Sequence, residues 1–386
     1  MLAYGVVDPV AVERVLTAVA RIRRLPPKRP VKVRAISGPA LRREVEADLA
    51  RDVASGAIER QRKAWVRIGL VDPDTNLERA YAEQYSEMPG GYYDSGALKL
   101  VTREVIRSEV TEIVAAVRGR DPLYGEGVAH ELAHALQDQY FDIDAFTAAA
   151  PDEDARTARR ALVEGDASKV GYAYGALFGS DFGAYVAWVE RRLPAINADD
   201  PTPLYMRETF QFPYVYGARF VEVLWKKGGF ARVDAAFRDP PASTEEVLHP
   251  EKYLAAARDK PVAISPSDCA AALGAEWKRV YSQPLGELGV WAWWTRLLGD
   301  GKAARRAAEG WGGDRAEVYE HGAGGETAML WRSAWDSESE AREAEAALAK
   351  VPTATTGPRR VERRGVRVAM VTGAGDQAAL LACAWR

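Results

Sequence analysis

The sequence predicts an α+β fold, mainly helical, with a small sheet ahead of its longest helical stretch and a small α+β region towards its C-terminal end. Three observations carry this. Apolar residues recur at helical spacing over 8–24, through much of 103–189 and over 218–226. Alternating or strand-like runs are few and short, at 31–36, 90–101, 329–334 and 365–372. The 386 residues are 47% hydrophobic and 28% charged, an ordinary globular balance that allows a sizeable core.

Taken in order, Val10, Val12, Val15, Leu16, Val19 and Ile22 form the apolar stripe of a first helix, which Pro26 and Pro27 stop. Residues 31–36 alternate as a strand. Ser37 can cap the next helix, with Pro39 early in it, and the helical pattern runs on to about Lys63. Asp72, Pro73 and Asp74 make a turn. Two short strands follow in 90–101 around a turn at Ser95 and Gly96. Helices dominate 103–189, a loop spans 194–203, and the helix over 218–226 ends at Gly228 and Gly229. After Cys269 the pattern is helical, then mixed. Residues 310–315 read as a loop of tight turns, and residues 329–334 and 365–372 as strands. These elements divide into an N-terminal α/β supporting region (1–88), a central domain (89–262) and a C-terminal α+β region (263–386).

A formal charge of −3 gives no electrostatic reason to expect nucleic acid as a partner. No run of 18 apolar residues exists, so no integral membrane segment is expected. Residues 1–21 lack a basic segment followed by an apolar one, which leaves cytoplasm and export both open. The two cysteines, Cys269 and Cys383, read as free buried thiols, a single bridge being the alternative.

The chemistry concentrates in His130-Glu131-Leu132-Ala133-His134. Two histidines four apart on a helix lie on one face, one turn apart, where both rings can meet one Zn²⁺. Glu131 lies beside the metal without binding it, placed to take a proton from water. With only four histidines in the chain, this pattern arises by chance on the order of a few times in a thousand. A catalytic zinc takes three protein ligands and keeps one position open. Glu164 is the candidate third: Ala161, Gly165, Ser168 and Gly171 share its helix face, and small neighbours let another helix approach closely. The alternative is a solvated glutamate. Asp138 and Asp166 compete for an outer carboxylate that orients a ligand histidine.

The run His130–Asp138 (H-E-L-A-H-A-L-Q-D) resembles the active-site helix of the gluzincins, the thermolysin-like and aminopeptidase-like zinc metallopeptidases. Glu164, in A-L-V-E-G-D-A, matches the downstream helix that supplies their glutamate ligand. The resemblance implies a zincin-like catalytic domain, with His130, His134 and Glu164 as zinc ligands and Glu131 as general base. It implies a peptide or protein substrate laid along the edge strand of the small upstream sheet. Pro213-Tyr214-Val215-Tyr216-Gly217 resembles the P-Y-x-x-G element of the aminopeptidase branch. There a tyrosine hydroxyl stabilises the tetrahedral intermediate; Tyr214 matches it and Tyr216 is the alternate. His249 is a further candidate for that role, although its surroundings do not match the family motif. His321 reads as a surface residue near a hairpin tip, and Trp291, Trp293 and Trp294 as a core or domain junction. Two rival readings stand: a metallohydrolase acting on a non-peptide amide or ester, and a binding or scaffold protein whose zinc is closed by a fourth ligand such as His249.

Overall fold

The computed structural model describes residues 2–3, 6–7, 9–86, 91–94, 97–102, 122–176, 181–191, 202–322, 325–352 and 357–386. The turn expected at residues 95–96, the helical stretch over 103–121 and most of the loop at 194–203 lie outside them. The described chain is α+β, as the periodicities predict.

After a two-residue pairing of β1 (Leu2–Ala3) with β2 (Val6–Val7), helix α1 (Pro9–Arg23) buries Val12, Val15, Leu16 and Val19. It packs on the two helices that will carry the site. Strand β3 (Lys32–Ser37) leads into α2 (Gly38–Ala54), whose first turn is capped by the Ser37 hydroxyl accepting from the Ala40 N–H at 3.3 Å. The helix expected to continue to Lys63 is interrupted at Gly56, where φ is +73°, a conformation open to glycine. Helices α3 (Ala57–Ile68) and α4 (Leu77–Ser86) follow.

Strands β4 (Gly91–Asp94) and β5 (Ala97–Thr102) pair antiparallel, with Tyr93 opposite Leu98. β5 also pairs, in parallel, with β3, so among the described residues the sheet order is β3-β5-β4 and β4 is an edge. Because β3 comes from the first 88 residues, this sheet runs across the boundary drawn at residue 88.

Among the described residues, five helices follow: α5 (Pro122–Phe141), α6 (Ile143–Ala148), α7 (Glu153–Gly175), α8 (Phe182–Arg191) and α9 (Leu204–Arg238). α9 begins well before the predicted 218–226. Gly228 and Gly229 do break its geometry, but it resumes to Arg238. α7 meets α9 almost backbone to backbone. A Cβ on Gly165 would lie 2.1 Å from the Gly217 carbonyl oxygen, and one on Gly217 would lie 2.1 Å from that of Ala161. On its other side α7 meets α5 at Gly171, where a Cβ would lie 3.2 Å from the Glu126 carbonyl oxygen. The small-residue face read from the sequence therefore divides between two neighbours.

Short helices α10 (Thr244–Leu248), α11 (Pro250–Leu254) and α12 (Ala270–Leu273) lead to the C-terminal region. There β6 (Trp277–Gln283), β7 (Trp311–His321), β8 (Thr327–Trp335), β9 (Arg359–Arg364) and β10 (Arg367–Gly373) form an antiparallel sheet, order β6-β7-β8-β10-β9. Helices α13 (Gly286–Leu298), α14 (Gly301–Ala308), α15 (Glu338–Lys350) and α16 (Gln377–Cys383) accompany it. Two expectations are corrected. The chain after Cys269 is strand β6 once the single turn of α12 ends, and the supposed loop at 310–315 is the start of β7. Register slips there between Trp311 and Gly313, whose φ is +148°.

Trp291, Trp293 and Trp294 on α13 are fully buried and join the sheet to the helical body. Trp294 stacks on Trp335 with ring centroids 5.8 Å apart, and Trp291 meets Tyr216 of α9 at 6.1 Å. One continuous hydrophobic core runs from Val12 to Met370. The cysteines, expected as free thiols, form a disulfide: α12 and α16 pack together and bring the Cys269 and Cys383 Cα atoms to 5.8 Å. Among the described residues no helix is long and apolar enough to cross a membrane.

Buried carboxyls tie these parts together. Asp314 accepts from the backbone N–H groups of Leu285 and Gly286 at the start of α13 and from the indoles of Trp311 and Trp331. Asp154 accepts from the Thr244 hydroxyl at 2.6 Å, and Glu245 from Lys252 at 2.6 Å. Burial pushes Asp314 up to about 6 and Asp154 to about 8. The folded protein keeps these protons at pH values where the unfolded chain has lost them. The stability they confer is complete below the unfolded carboxylate pKa and is lost as pH rises through the folded values. We expect the melting temperature of the chelated protein to fall by several degrees between pH 6 and pH 9. A flat or rising profile would contradict the assignment.

Candidate metal centre

α5 carries the HExxH motif with Val128, Ala129, Leu132, Ala133 and Leu136 buried, which fixes its rotation and turns both motif histidines towards α7. Their Nε2 atoms lie 3.0 Å apart. Glu164 of α7 places Oε2 at 3.1 Å from His130 Nε2 and 3.2 Å from His134 Nε2. Donors about 2.0–2.1 Å from one tetrahedral metal stand about 3.3 Å apart, so this trio fits such an ion. Among the described residues no fourth His, Cys, Asp or Glu side chain joins it.

The trio is also strongly coupled electrostatically. Burial works against a charged His134, yet the Glu164 and Glu131 carboxylates push it up to about 9. Glu164, also opposed by burial, is held well below the carboxylate range by the two histidines. In the chain alone protons satisfy these carboxylates, and a divalent metal would displace them.

His134 is oriented from behind. Gln137, three residues on in α5, uses its amide NH₂ to donate to the Val163 carbonyl at 3.0 Å and to Asp166 at 2.9 Å. Its oxygen is thereby the atom 2.8 Å from His134 Nδ1, so Nδ1 carries a hydrogen and Nε2 is the nitrogen a metal could take. Asp166 in turn accepts from Arg23 of α1 at 2.8 Å, and Arg23 reaches Asp234 at 2.6 Å. Neither outer-carboxylate candidate touches a ligand histidine directly. Asp166 acts through Gln137, and Asp138 instead accepts from the Tyr93 hydroxyl at 2.7 Å and from Arg29 at 2.9 Å.

Glu131 sits beside the trio, and its Oε2 accepts from the backbone N–H of Tyr93 on edge strand β4 at 2.8 Å. Tyr93 thus holds α5 twice, by its N–H at Glu131 and by its hydroxyl two turns on at Asp138. Burial raises Glu131 above the ordinary range, which strengthens it as a proton acceptor.

Tyr214 lies against the site: its ring stacks on His130 with centroids 6.4 Å apart, and its phenol feels the charge of Glu164. The negative charge of Glu164, together with burial, pushes the phenol well above its usual value, so it stays a hydrogen-bond donor. The Tyr185 hydroxyl of α8 donates to the Tyr214 carbonyl at 3.2 Å. Tyr216 instead turns into the core between Phe212 and Trp291. His249, between α10 and α11, is not among the converging donors. Its Nε2 pairs with Glu287 of α13 at 2.9 Å. His321 ends β7 exposed.

Gln137, Tyr93 and Arg23 were not singled out by the sequence. Gln137 alone had a readable signal, its spacing from His134. A second carboxylate group, Glu245, Asp259 and Asp336, is filled by the Lys252 ammonium at 2.6, 3.0 and 2.5 Å. That group is an ion-pair knot.

Residues 275–382 match the model of a family described as a domain of unknown function, DUF8575. The match covers the C-terminal sheet and its helices and none of the residues around the trio. No curated protein and no solved structure matches the chain.

Proposed function

We propose that this protein is a zinc-dependent peptidase that cleaves peptide bonds by water attack. The observation that carries the proposal is the convergence of His130 Nε2, His134 Nε2 and Glu164 Oε2 within 3.0–3.2 Å, with Glu131 and Tyr214 on its borders. Zinc bound by these three residues supplies Lewis acidity towards a water molecule and the substrate carbonyl. Glu131, aimed by the Tyr93 N–H, accepts the proton from the attacking water and passes it to the leaving amine. Tyr214 keeps its phenolic proton and donates a hydrogen bond to the oxygen that becomes negative in the transition state. Gln137 holds His134 in the tautomer that presents Nε2. A three-donor set with no fourth protein side chain among the described residues supports turnover over a closed structural site.

The test is metal analysis paired with cleavage of a mixed peptide library. We expect one zinc per chain, loss of cleavage on chelation and recovery when zinc is restored. A metal-replete protein that cuts no peptide would overturn the peptidase reading.

A further inference from the structure

A cavity of about 790 Å³ opens between the N-terminal helices, α7, α9 and β6. Trp65 of α3, Tyr81 of α4, Tyr205 and Phe210 of α9 and Tyr281 of β6 contribute aromatic walls. Trp65 and Tyr205 meet edge to face with centroids 5.1 Å apart.

Helical spacing connects this cavity to the metal trio. Arg160, on its wall, lies one turn before Glu164 on α7. Phe210 lies one turn before Tyr214 on α9, with their rings 6.1 Å apart. The Arg160 charge acts directly on the Tyr214 phenol.

Arg160 is exposed, and among the described residues it has no carboxylate partner. Most acids that share the wall are accounted for. Asp48 pairs with Arg51, and Glu153 with Arg156, each at 2.6 Å. Asp154 is bonded to Thr244 and, raised to about 8 by burial, is mostly neutral at pH 7. Arg60, at the other end of the wall, donates to the Ser55 carbonyl at 3.0 Å. Among the described residues that line the cavity, Arg160 is therefore the cation nearest in sequence to the trio, with no carboxylate partner and with aromatic surface beyond it.

We propose that this cavity seats the substrate and that Arg160 selects peptides carrying a carboxylate next to the scissile bond, the aromatic walls taking up apolar side chains of the same peptide. This specificity rests on the peptidase reading. An arginine–carboxylate contact is a charge-assisted, two-pronged pair, and a neutral amide of the same shape cannot replace it. The carboxylate can belong to an Asp or Glu side chain or to a free C-terminus.

The experiment uses zinc-loaded protein and short fluorogenic peptides in matched pairs: Asp against Asn, Glu against Gln, and free C-terminal acid against amide. Binding is measured by calorimetry on the Glu131→Gln form, and cleavage on the wild type. We expect the carboxylate member to bind at least about tenfold more tightly than its amide. Arg160→Ala should bring that ratio close to one, and Arg160→Glu should move the preference to lysine-bearing peptides. A side-chain pair that shows the ratio assigns an internal acidic residue, and the terminal pair assigns a C-terminal carboxylate. A wild-type ratio near one, or one unchanged by Arg160→Ala, overturns the proposal. Arg160-dependent binding without any cleavage leaves the cavity assignment standing and removes the peptidase reading. Cleavage without preference does the reverse.

Discussion

Glu131→Gln protein should bind zinc as the wild type does and cleave peptides slower by a factor on the order of 10²–10⁴, about 3–5 kcal/mol of barrier. The argument is geometric. Glu131 is not one of the three converging donors, so an uncharged isostere leaves the ligand set intact. The glutamine oxygen can still accept from the Tyr93 N–H, which meets Glu131 at 2.8 Å, so the side chain keeps its place. Only the basic lone pair is lost. Zinc content and kcat/KM measured on the same preparation decide the matter. A variant that keeps zinc and cleaves at the wild-type rate removes Glu131 from the chemistry, and one that loses zinc makes it a ligand.

The second large effect concerns the scaffold. Gly217→Ala places a Cβ 2.1 Å from the carbonyl oxygen of Ala161 and 2.9 Å from its carbon, with backbone on both sides and no flexible side chain to move away. α9 must then shift away from α7, the helix that carries Glu164. We expect about 3 kcal/mol of lost stability, the upper part of the range for overpacked interiors, together with weakened zinc binding. Gly127→Ala is the contrasting substitution. It lies on α5 itself, with nothing within 4 Å of the added Cβ, and should gain about 0.5–1 kcal/mol from helix propensity. Urea unfolding of both variants tests the pair. If Gly217→Ala is as stable as Gly127→Ala, the close crossing does not hold the site.

Much of the site was legible because its determinants are local. The i, i+4 histidines, the glutamate between them and the small residues around Glu164 all act within one helix turn of the chemistry. The preference for Tyr214 over Tyr216 rested on the family element alone, because two tyrosines two apart on a helix face different ways and only the neighbours decide which faces the ligands. The outer contact to His134 was expected from a carboxylate and comes from an amide. Asp166 is already engaged by Arg23, some 143 positions away in sequence, which no spacing rule reveals. Strands β6 and β7 escaped for a related reason. Asp314 and Glu317 are buried on β7, where they receive hydrogen bonds from α13, Ser267 and tryptophan side chains. Polar residues satisfied from far away erase the alternation by which a strand is recognised.

The disulfide has a topological consequence. Cys269 and Cys383 enclose residues 275–382, the whole stretch that matches DUF8575, in one covalent ring. A single backbone cut anywhere inside that ring opens the chain without shedding a fragment. The sheet and its tryptophan-bearing helix therefore stay tethered to the metal-binding body after one proteolytic nick, and release requires a second cut or a reductant.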